Sequence, residues 1–446
     1  TERYLYFHGP FTATEIDAVR KFKGVHPEGS YRRSYPSRTL AAPVIGRLDA
    51  DSGKGGSGLE RALDELLTGV PGEAVFLRDR LGRRFESPAR RLRDPVPGHD
   101  VWLTLDFQLQ DIAERALEDA VHELDAEGGD IVVLDPRTGE ILAIASRQAG
   151  WGEQTARPTA FTDPFEPGST AKLFTAAALL RLDKVDTTDK VHGENGKWSM
   201  PIGTGGRTRE LNDVHKVDHE IDLADAVKYS SNIAMAKFSQ RLTVTEQFSA
   251  MRDFGFGSPT GVEFPSESRG QLAPPEQWRA EYSRASVAMG YEFGVTALQL
   301  ASAYAAIAND GVLLTPSLVR EVRAHDGRLV YRHHPEPVRR VVSSEDAQEL
   351  MRYLRLVVGE GGTAGGARLA NYELAGKTGT ARWFRNGRYD GYRASFAALF
   401  PADDPQLVFI VKLDNPRKGS YYGGATAAPL TKQMLERAIA SRVVSL

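Results

Sequence analysis

The 446-residue chain contains no cysteine, which excludes disulfides, thiol catalysis and thiolate metal sites. That absence suits a cytosolic and a bacterial extracytoplasmic protein equally. No apolar run approaches the ~20 residues needed to cross a bilayer, and no signal-peptide core opens the sequence. The chain begins at Thr1 rather than at methionine, which points to a trimmed N-terminus, so the lack of an anchor carries little weight. Neither sign of charge dominates: 56 basic and 59 acidic residues leave a formal net charge of −3, and no footprint for nucleic acid results. No His-Glu-x-x-His and no Gly-x-Ser-x-Gly is present, and the glycines around Gly53 miss the P-loop spacing. Zincin, α/β-hydrolase and P-loop chemistry are therefore unsupported. Asp49, Asp51 and Glu60 have the spacing of a calcium loop, but Lys54 stands where that loop requires glycine.

What is present fits an ordinary globular protein, 41% hydrophobic and 26% charged. The length exceeds what one core usually organises, so two domains are expected. Residues 1 to about 94 hold short strand-like pieces and a helix at 58–69, and "RDPVPGHD" (93–100) reads as a linker. A strand and a long amphipathic helix follow, with apolar positions at Leu109, Ile112, Ala113, Ala116, Leu117, Ala120, Val121 and Leu124. "DIVVLDPRTGEILAIAS" reads as a hairpin. The region 169–252 is mainly helical, with an irregular glycine-rich stretch at 193–206. "YELAGKTGTARW", "YRASFAALFP" and "QLVFIVKLDNP" read as strands, and a helix closes the chain. Strands at both ends with helices between them predict an α+β domain whose antiparallel sheet is built from both termini.

One stretch, "FEPGSTAKLFTAAALL" (165–180), sets a hydroxyl and an ammonium three residues apart at the head of an apolar helix. Ser169 and Lys172 share a face there. A helix apolar all round is buried, the positive end of its dipole repels a lysine, and a desolvated ammonium loses its proton more easily. The pair can therefore be nucleophile and base, or the serine can merely cap and the lysine be solvated. In "AVKYSSNIAMAKF", Ser230, Ser231 and Asn232 stand between helical patterns, where such residues often only cap. In "AGKTGTA", Lys377, Thr378, Gly379 and Thr380 interrupt an apolar strand as a turn would. Together, though, Ser-x-x-Lys, Ser-x-Asn and Lys-Thr-Gly follow in the order of the penicillin-recognising enzymes.

With "FGFGSPTGVEFP", "LQLASAYAAIANDGV" and "GYRASFAALFPADDPQLVFIVKLDNP", the chain resembles the class B penicillin-binding proteins over nearly its full length. "SSNIAMAK" and "YSRASVAMGYEFGVTALQLASAYA" are more similar to the septal, cell-division type than to the elongation type. The resemblance implies a penicillin-binding transpeptidase fold, an antiparallel sheet with helices on both faces, at 97–446. It implies an elongated, non-catalytic α+β pedestal, dimerisation-like, at 1–96. It further implies catalytic roles for Ser169, Lys172, Ser230, Asn232 and Lys377, with the Lys377 charge lowering the pKa of Lys172. Thr378, Gly379 and Thr380 would bind substrate, Gly379 by letting its backbone approach closely, and the backbone N–H groups of Ser169 and Thr380 would form the oxyanion hole. No metal or cofactor is implied. The implied partners are a stem-pentapeptide donor, an amine acceptor, β-lactams, a membrane glycosyltransferase of the SEDS type and other division proteins. The implied place is the outer face of the bacterial cytoplasmic membrane, at the septum, held by an N-terminal transmembrane helix. A β-lactam hydrolase, a D,D-carboxypeptidase and a non-catalytic division scaffold are the competing readings. The segment 147–162 is shorter than the corresponding loop of that family.

Overall fold

The computed structural model describes residues 5, 7, 11–25, 33–78, 80, 84–150, 157–385 and 387–444. The short segment flagged above thus has its centre, 151–156, outside the described residues. The chain divides into two compact units, 1–38 and 39–446. In the first, Thr12 caps a helix at Ala13–Arg20 through a capping box with Glu15, and no residue of that helix is buried.

The second unit is organised by a five-stranded antiparallel sheet. In chain order its elements are α1 (Phe107–Glu123), β1 (Gly128–Leu134), β2 (Ile141–Gln148), α2 (Lys172–Arg181), the small hairpin β3 (Lys197–Pro201) and β4 (Thr208–Asn212), and α3 (Leu223–Lys228). They continue with α4 (Asn232–Ser239), α5 (Ala297–Ala308), α6 (Ser344–Val358), β5 (Ala375–Arg385), β6 (Arg388–Phe400), β7 (Leu407–Asp414) and α7 (Ala427–Ala440). The sheet order is β5-β6-β7-β1-β2, so strands from both ends of the chain meet where β7 pairs with β1, as expected. β1 and β7 are buried at every residue, which requires cover on both faces because side chains alternate. Helices α1 and α7 pack together against the sheet, and α5 packs against β1, β6 and β7. β5 lies at the sheet margin.

One buried ionic group stands inside this sheet. Lys412 Nζ lies 2.6 Å from Asp130 Oδ2 and 2.9 Å from Asp414 Oδ2, and Thr159 Oγ1 donates to Asp130 Oδ1 at 2.5 Å. Burial pushes the Lys412 amine down, but the two carboxylates overcome it and hold the amine above its usual value.

Two sequence-based expectations change. The helix predicted over 58–69 is two pieces, Gly58–Ala62 and Asp64–Leu67, broken at Leu63 (φ −109°, ψ 14°). Leu63 is buried at the break, and Asp64 Oδ1 accepts from Gly55 N at 2.7 Å. The stretch 193–206, expected to be irregular, contains β3 and runs into the turn of the β3–β4 hairpin. The unit also reaches back to Thr39. Ala41, Val44, Leu59 and Leu63 join the same core as α1, and Glu114 Oε1 on α1 accepts from Ala41 N at 2.7 Å.

Candidate active site

Three segments distant in sequence meet at the heads of α2 and α4 and along β5. The helix expected to contain Ser169 begins later: Gly168–Ala171 form a 3₁₀ turn, and Lys172 is the first residue of α2. Thr170 Oγ1 donates to Pro167 O at 2.8 Å and so holds that turn. Gly168 has φ +56°, and its N–H donates to Gly290 O at 3.0 Å. A Cβ on Gly290 (φ +84°) would lie 1.9 Å from Gly168 O, so only glycine allows this approach.

The second segment joins two helices without a spare residue. α3 ends in a Schellman pattern, with Ser231 N donating to Ala226 O (2.9 Å) and Ser230 N to Val227 O (3.2 Å). Ser230 occupies its left-handed position, φ +58°, where glycine is usual. Ser231 then caps α4, its Oγ accepting from Ala234 N at 3.0 Å. The capping reading of this stretch is thus correct as well, and it is what aims Ser230.

Lys172 is fully buried. Its Nζ lies 2.9 Å from Ser169 Oγ, 2.6 Å from Ser230 O, 2.8 Å from Asn232 Oδ1 and 3.1 Å from Ser230 Oγ. A carbonyl and an amide oxygen can only accept. They take both hydrogens of a neutral amine, which leaves the lone pair for a hydroxyl. Burial pushes the amine down to about 7, with Asp213 pulling it back up.

From β5, Lys377 Nζ donates to Ser230 Oγ (2.9 Å) and Thr378 O (3.1 Å). Burial and then repulsion by Lys172 lower Lys377 well below the usual lysine value. Burial is the leading cause at both lysines, and their like charges oppose each other. Gly379 acts differently from expectation. The side a Cβ would take is filled by Ser395 Oγ (2.3 Å), Pro167 O (2.9 Å) and Thr170 Cγ2 (3.0 Å). Its missing side chain admits the turn bearing Ser169 rather than substrate. A Cβ on Gly168 would lie 3.4 Å from the carbonyl carbon of Thr380, so the N–H groups of Ser169 and Thr380 belong to adjoining segments. Thr378 Oγ1 is 2.7 Å from Thr363 Oγ1, and Thr380 Oγ1 accepts from Gly423 N at 3.1 Å.

Sequence reasoning missed Asp213 and Thr363. Asp213 Oδ1 accepts from Asn232 N (2.5 Å) and Ile233 N (3.3 Å), and its Oδ2 accepts from Ser231 Oγ (2.5 Å). Nothing in "LNDVHK" announces this, because the contacts span 18 to 20 residues. The whole arrangement presents a hydroxyl beside an amine that burial makes easier to deprotonate, a second hydroxyl between two amines, and an edge strand: the parts of an acyl-transfer centre. Among the described residues no cluster of side chains suits a metal ion.

The penicillin binding protein transpeptidase domain model matches residues 129–436, and the penicillin-binding protein dimerisation domain model matches 11–103. The chain is 34% identical to the probable peptidoglycan D,D-transpeptidase PenA of Neisseria gonorrhoeae, over 96% of this chain and 71% of that one. It is 30% identical to the peptidoglycan D,D-transpeptidase FtsI of Escherichia coli K12, with the same coverage. Among solved structures it is similar to penicillin-binding protein 3 of Mycobacterium tuberculosis complexed with aztreonam: TM-score 0.78, 31% identity, 93% of this chain and 91% of that one.

Proposed function

Since the chain belongs to the penicillin-binding protein transpeptidase family, we propose that it is a serine D,D-transpeptidase that crosslinks peptidoglycan stem peptides and is acylated by β-lactams. The observation that carries this reading is the 2.9 Å approach of Ser169 Oγ to the buried Lys172 amine. Lys172 takes the Ser169 proton as Oγ attacks the carbonyl joining the two terminal D-alanines. The oxyanion is met by the N–H groups of Ser169 and Thr380; one such donor typically lowers the barrier by about 3 to 4 kcal/mol. As the peptide C–N bond breaks, Ser230 Oγ passes a proton to the departing D-alanine nitrogen and regains one from the amines flanking it. Asn232 Nδ2 holds the donor amide, and Lys377, Thr378 and Thr380 receive the terminal carboxylate. An amine of a neighbouring stem peptide then attacks the ester and gives up a proton to the neutral Lys172 amine, which returns it to Ser169 Oγ as the ester C–O bond breaks.

On this reading residues 1–96 are the pedestal and 97–446 the catalytic domain. The chain works outside the cytoplasmic membrane, where its substrate lies, beside a SEDS-type glycosyltransferase. The septal assignment rests on "SSNIAMAK" and "YSRASVAMGYEFGVTALQLASAYA". Among the described residues no helix is long and apolar enough to cross a membrane. Mass spectrometry after incubation with a penicillin tests the core of the proposal. A persistent adduct on Ser169, absent from Ser169→Ala, is expected. An adduct elsewhere, undiminished crosslinking by Ser169→Ala, or an adduct hydrolysed within seconds would overturn it.

A further inference from the structure

Resting on that reading, we infer that Arg209 determines specificity for the donor stem: its guanidinium seats a free carboxylate on the side chain of the residue that precedes the two D-alanines. Arg209 is half-buried on β4, three residues before Asn212, and reaches across to the helix Ala280–Ala288. Its Nη1 donates to Tyr282 O at 3.1 Å and to Ser286 Oγ at 2.8 Å. The guanidinium carbon lies 4.0 Å from the centre of the Tyr282 ring, and that of Arg279 lies 4.1 Å from the same centre. Two cations can come so near one ring only from opposite faces. Arg279 has a counter-charge in Glu292, at 3.0 Å. Among the described residues no carboxylate lies within ion-pair distance of Arg209. Both hydrogens of Nη1 are spent on neutral oxygens, and the Nε–Nη2 edge, which fits a carboxylate through two parallel hydrogen bonds, stays open. A guanidinium so stacked and pinned has already given up most of its rotamer freedom, so a carboxylate bound there costs little further ordering.

The position along the cleft identifies the group that is bound. A donor laid as a strand beside β5, with its terminal carboxylate at Thr378 and Thr380, continues past Thr380 towards Arg382, one residue about every 3.3 Å. Arg382 is exposed, with its guanidinium carbon 5.1 Å from the centre of the Tyr389 ring, and it too has no carboxylate partner among the described residues. Partial burial raises the Tyr389 hydroxyl, and Glu166, Tyr282, Arg382 and Arg209 then act on it by charge. β4, β5, the helix Ala280–Ala288 and the segment leading to Ser169 therefore meet around one tyrosine. Glu166 is the acid of that group, and its Oε1 accepts from Glu292 N at 3.0 Å. The residue before the two D-alanines passes this point, and a carboxylate at the end of its side chain meets two guanidiniums that lack a counter-ion. An arginine placed only to pin the β3–β4 hairpin would not distinguish that carboxylate from its amide.

The test compares acylation of the whole chain by two synthetic stem-peptide thioesters. They are alike except that the side chain before the reacting D-alanine ends in a free carboxylate in one and in the primary amide in the other. The unmodified chain is expected to favour the carboxylate peptide about ten- to a hundredfold in kcat/KM, the range set by hydrogen bonds to a charged group. Arg209→Gln is expected to bring that ratio close to one by slowing the carboxylate peptide. Equal rates on the unmodified chain, or a ratio that survives in Arg209→Gln, would overturn the inference; a hairpin merely loosened slows both peptides alike and so preserves the ratio. Should Arg209→Gln fail to fold, Arg209→Lys decides: its point charge lacks the fork, and an undiminished ratio there overturns the inference equally. Acylation of the unmodified chain by benzylpenicillin is measured alongside, and it keeps the transpeptidase reading intact whichever way the peptides fall.

Discussion

The amine of Lys172 stands 2.6 Å from the main-chain oxygen of Ser230. That contact and Asn232 Oδ1 at 2.8 Å take two of the amine's hydrogens, while burial lowers its pKa to about 7. Acylation of Ser169 by a penicillin is therefore expected to rise with pH through about 7, where burial has moved the Lys172 amine, and to level off above it. The rate measured against pH checks this. Lys172→Met, which keeps the length of the side chain, is expected to lose about 10² to 10⁴-fold above pH 7, with the gap narrowing as pH falls.

The same burial links stability to pH. The folded-state pKa of Lys172 lies below its unfolded value, so between about 7 and 10.5 the unfolded chain binds the extra proton and folding gains as pH rises. Below that window the cost of burying the ammonium is at its full size. Lys172→Met is expected to melt above the unmodified chain at pH 7, with the gap narrowing towards pH 10. Parallel thermal melts across that range decide it; a constant gap would contradict the assignment.

Ser230 occupies a left-handed position that costs a side chain about 1–2 kcal/mol. Ser230→Gly is expected to relieve that strain and raise the unfolding free energy by about 1 kcal/mol, while removing the proton path to the leaving amine and with it crosslinking activity. A loss of activity without any gain in stability would mean that the hydroxyl's bonds to Lys377 and Lys172 outweigh the strain.

Gly379→Ala puts a Cβ 2.9 Å from Pro167 O, a main-chain atom. The turn carrying Ser169 must then withdraw from β5. A destabilisation of about 1–3 kcal/mol is expected, measured by denaturant, together with slower acylation at unchanged pH dependence.

Asp130→Asn leaves Lys412 buried with half its counter-charge, keeps an oxygen that can accept from Thr159 Oγ1, and turns an amide N–H2 toward the lysine in place of Oδ2. Breaking a buried pair in this way is expected to cost about 3–5 kcal/mol. Chemical denaturation measures it, and a value under 1 kcal/mol would show that Asp414 alone suffices for the lysine.

The nucleophile and both lysines were legible because their motifs are local: each is a spacing of three residues or fewer along the chain. The sheet was legible for a similar reason, since Ile131–Leu134 and Leu407–Leu413 are unbroken apolar runs. What escaped was held by contacts across the fold. Asp213 reaches α4 from a hairpin whose strands alternate for only five residues around a glycine-rich turn, too brief a pattern to stand out. The break at Leu63 follows from the burial of one side chain, which helical periodicity does not register. Gly379 was assigned to substrate because a glycine in an edge strand fits either neighbour, and only coordinates reveal which neighbour fills the space.

The junction of α3 and α4 constrains length more severely than identity. One helix is closed at Ser230 and the next is opened at Ser231, so a single residue inserted or deleted between Lys228 and Asn232 breaks the close or the cap and changes the direction in which α4 leaves α3. Asn232 would then face away from the cleft, whatever amino acids were chosen. Drift at this joint is therefore confined to replacements, and resistance to an inhibitor cannot arise there by changes in chain length without surrendering the crosslinking reaction as well.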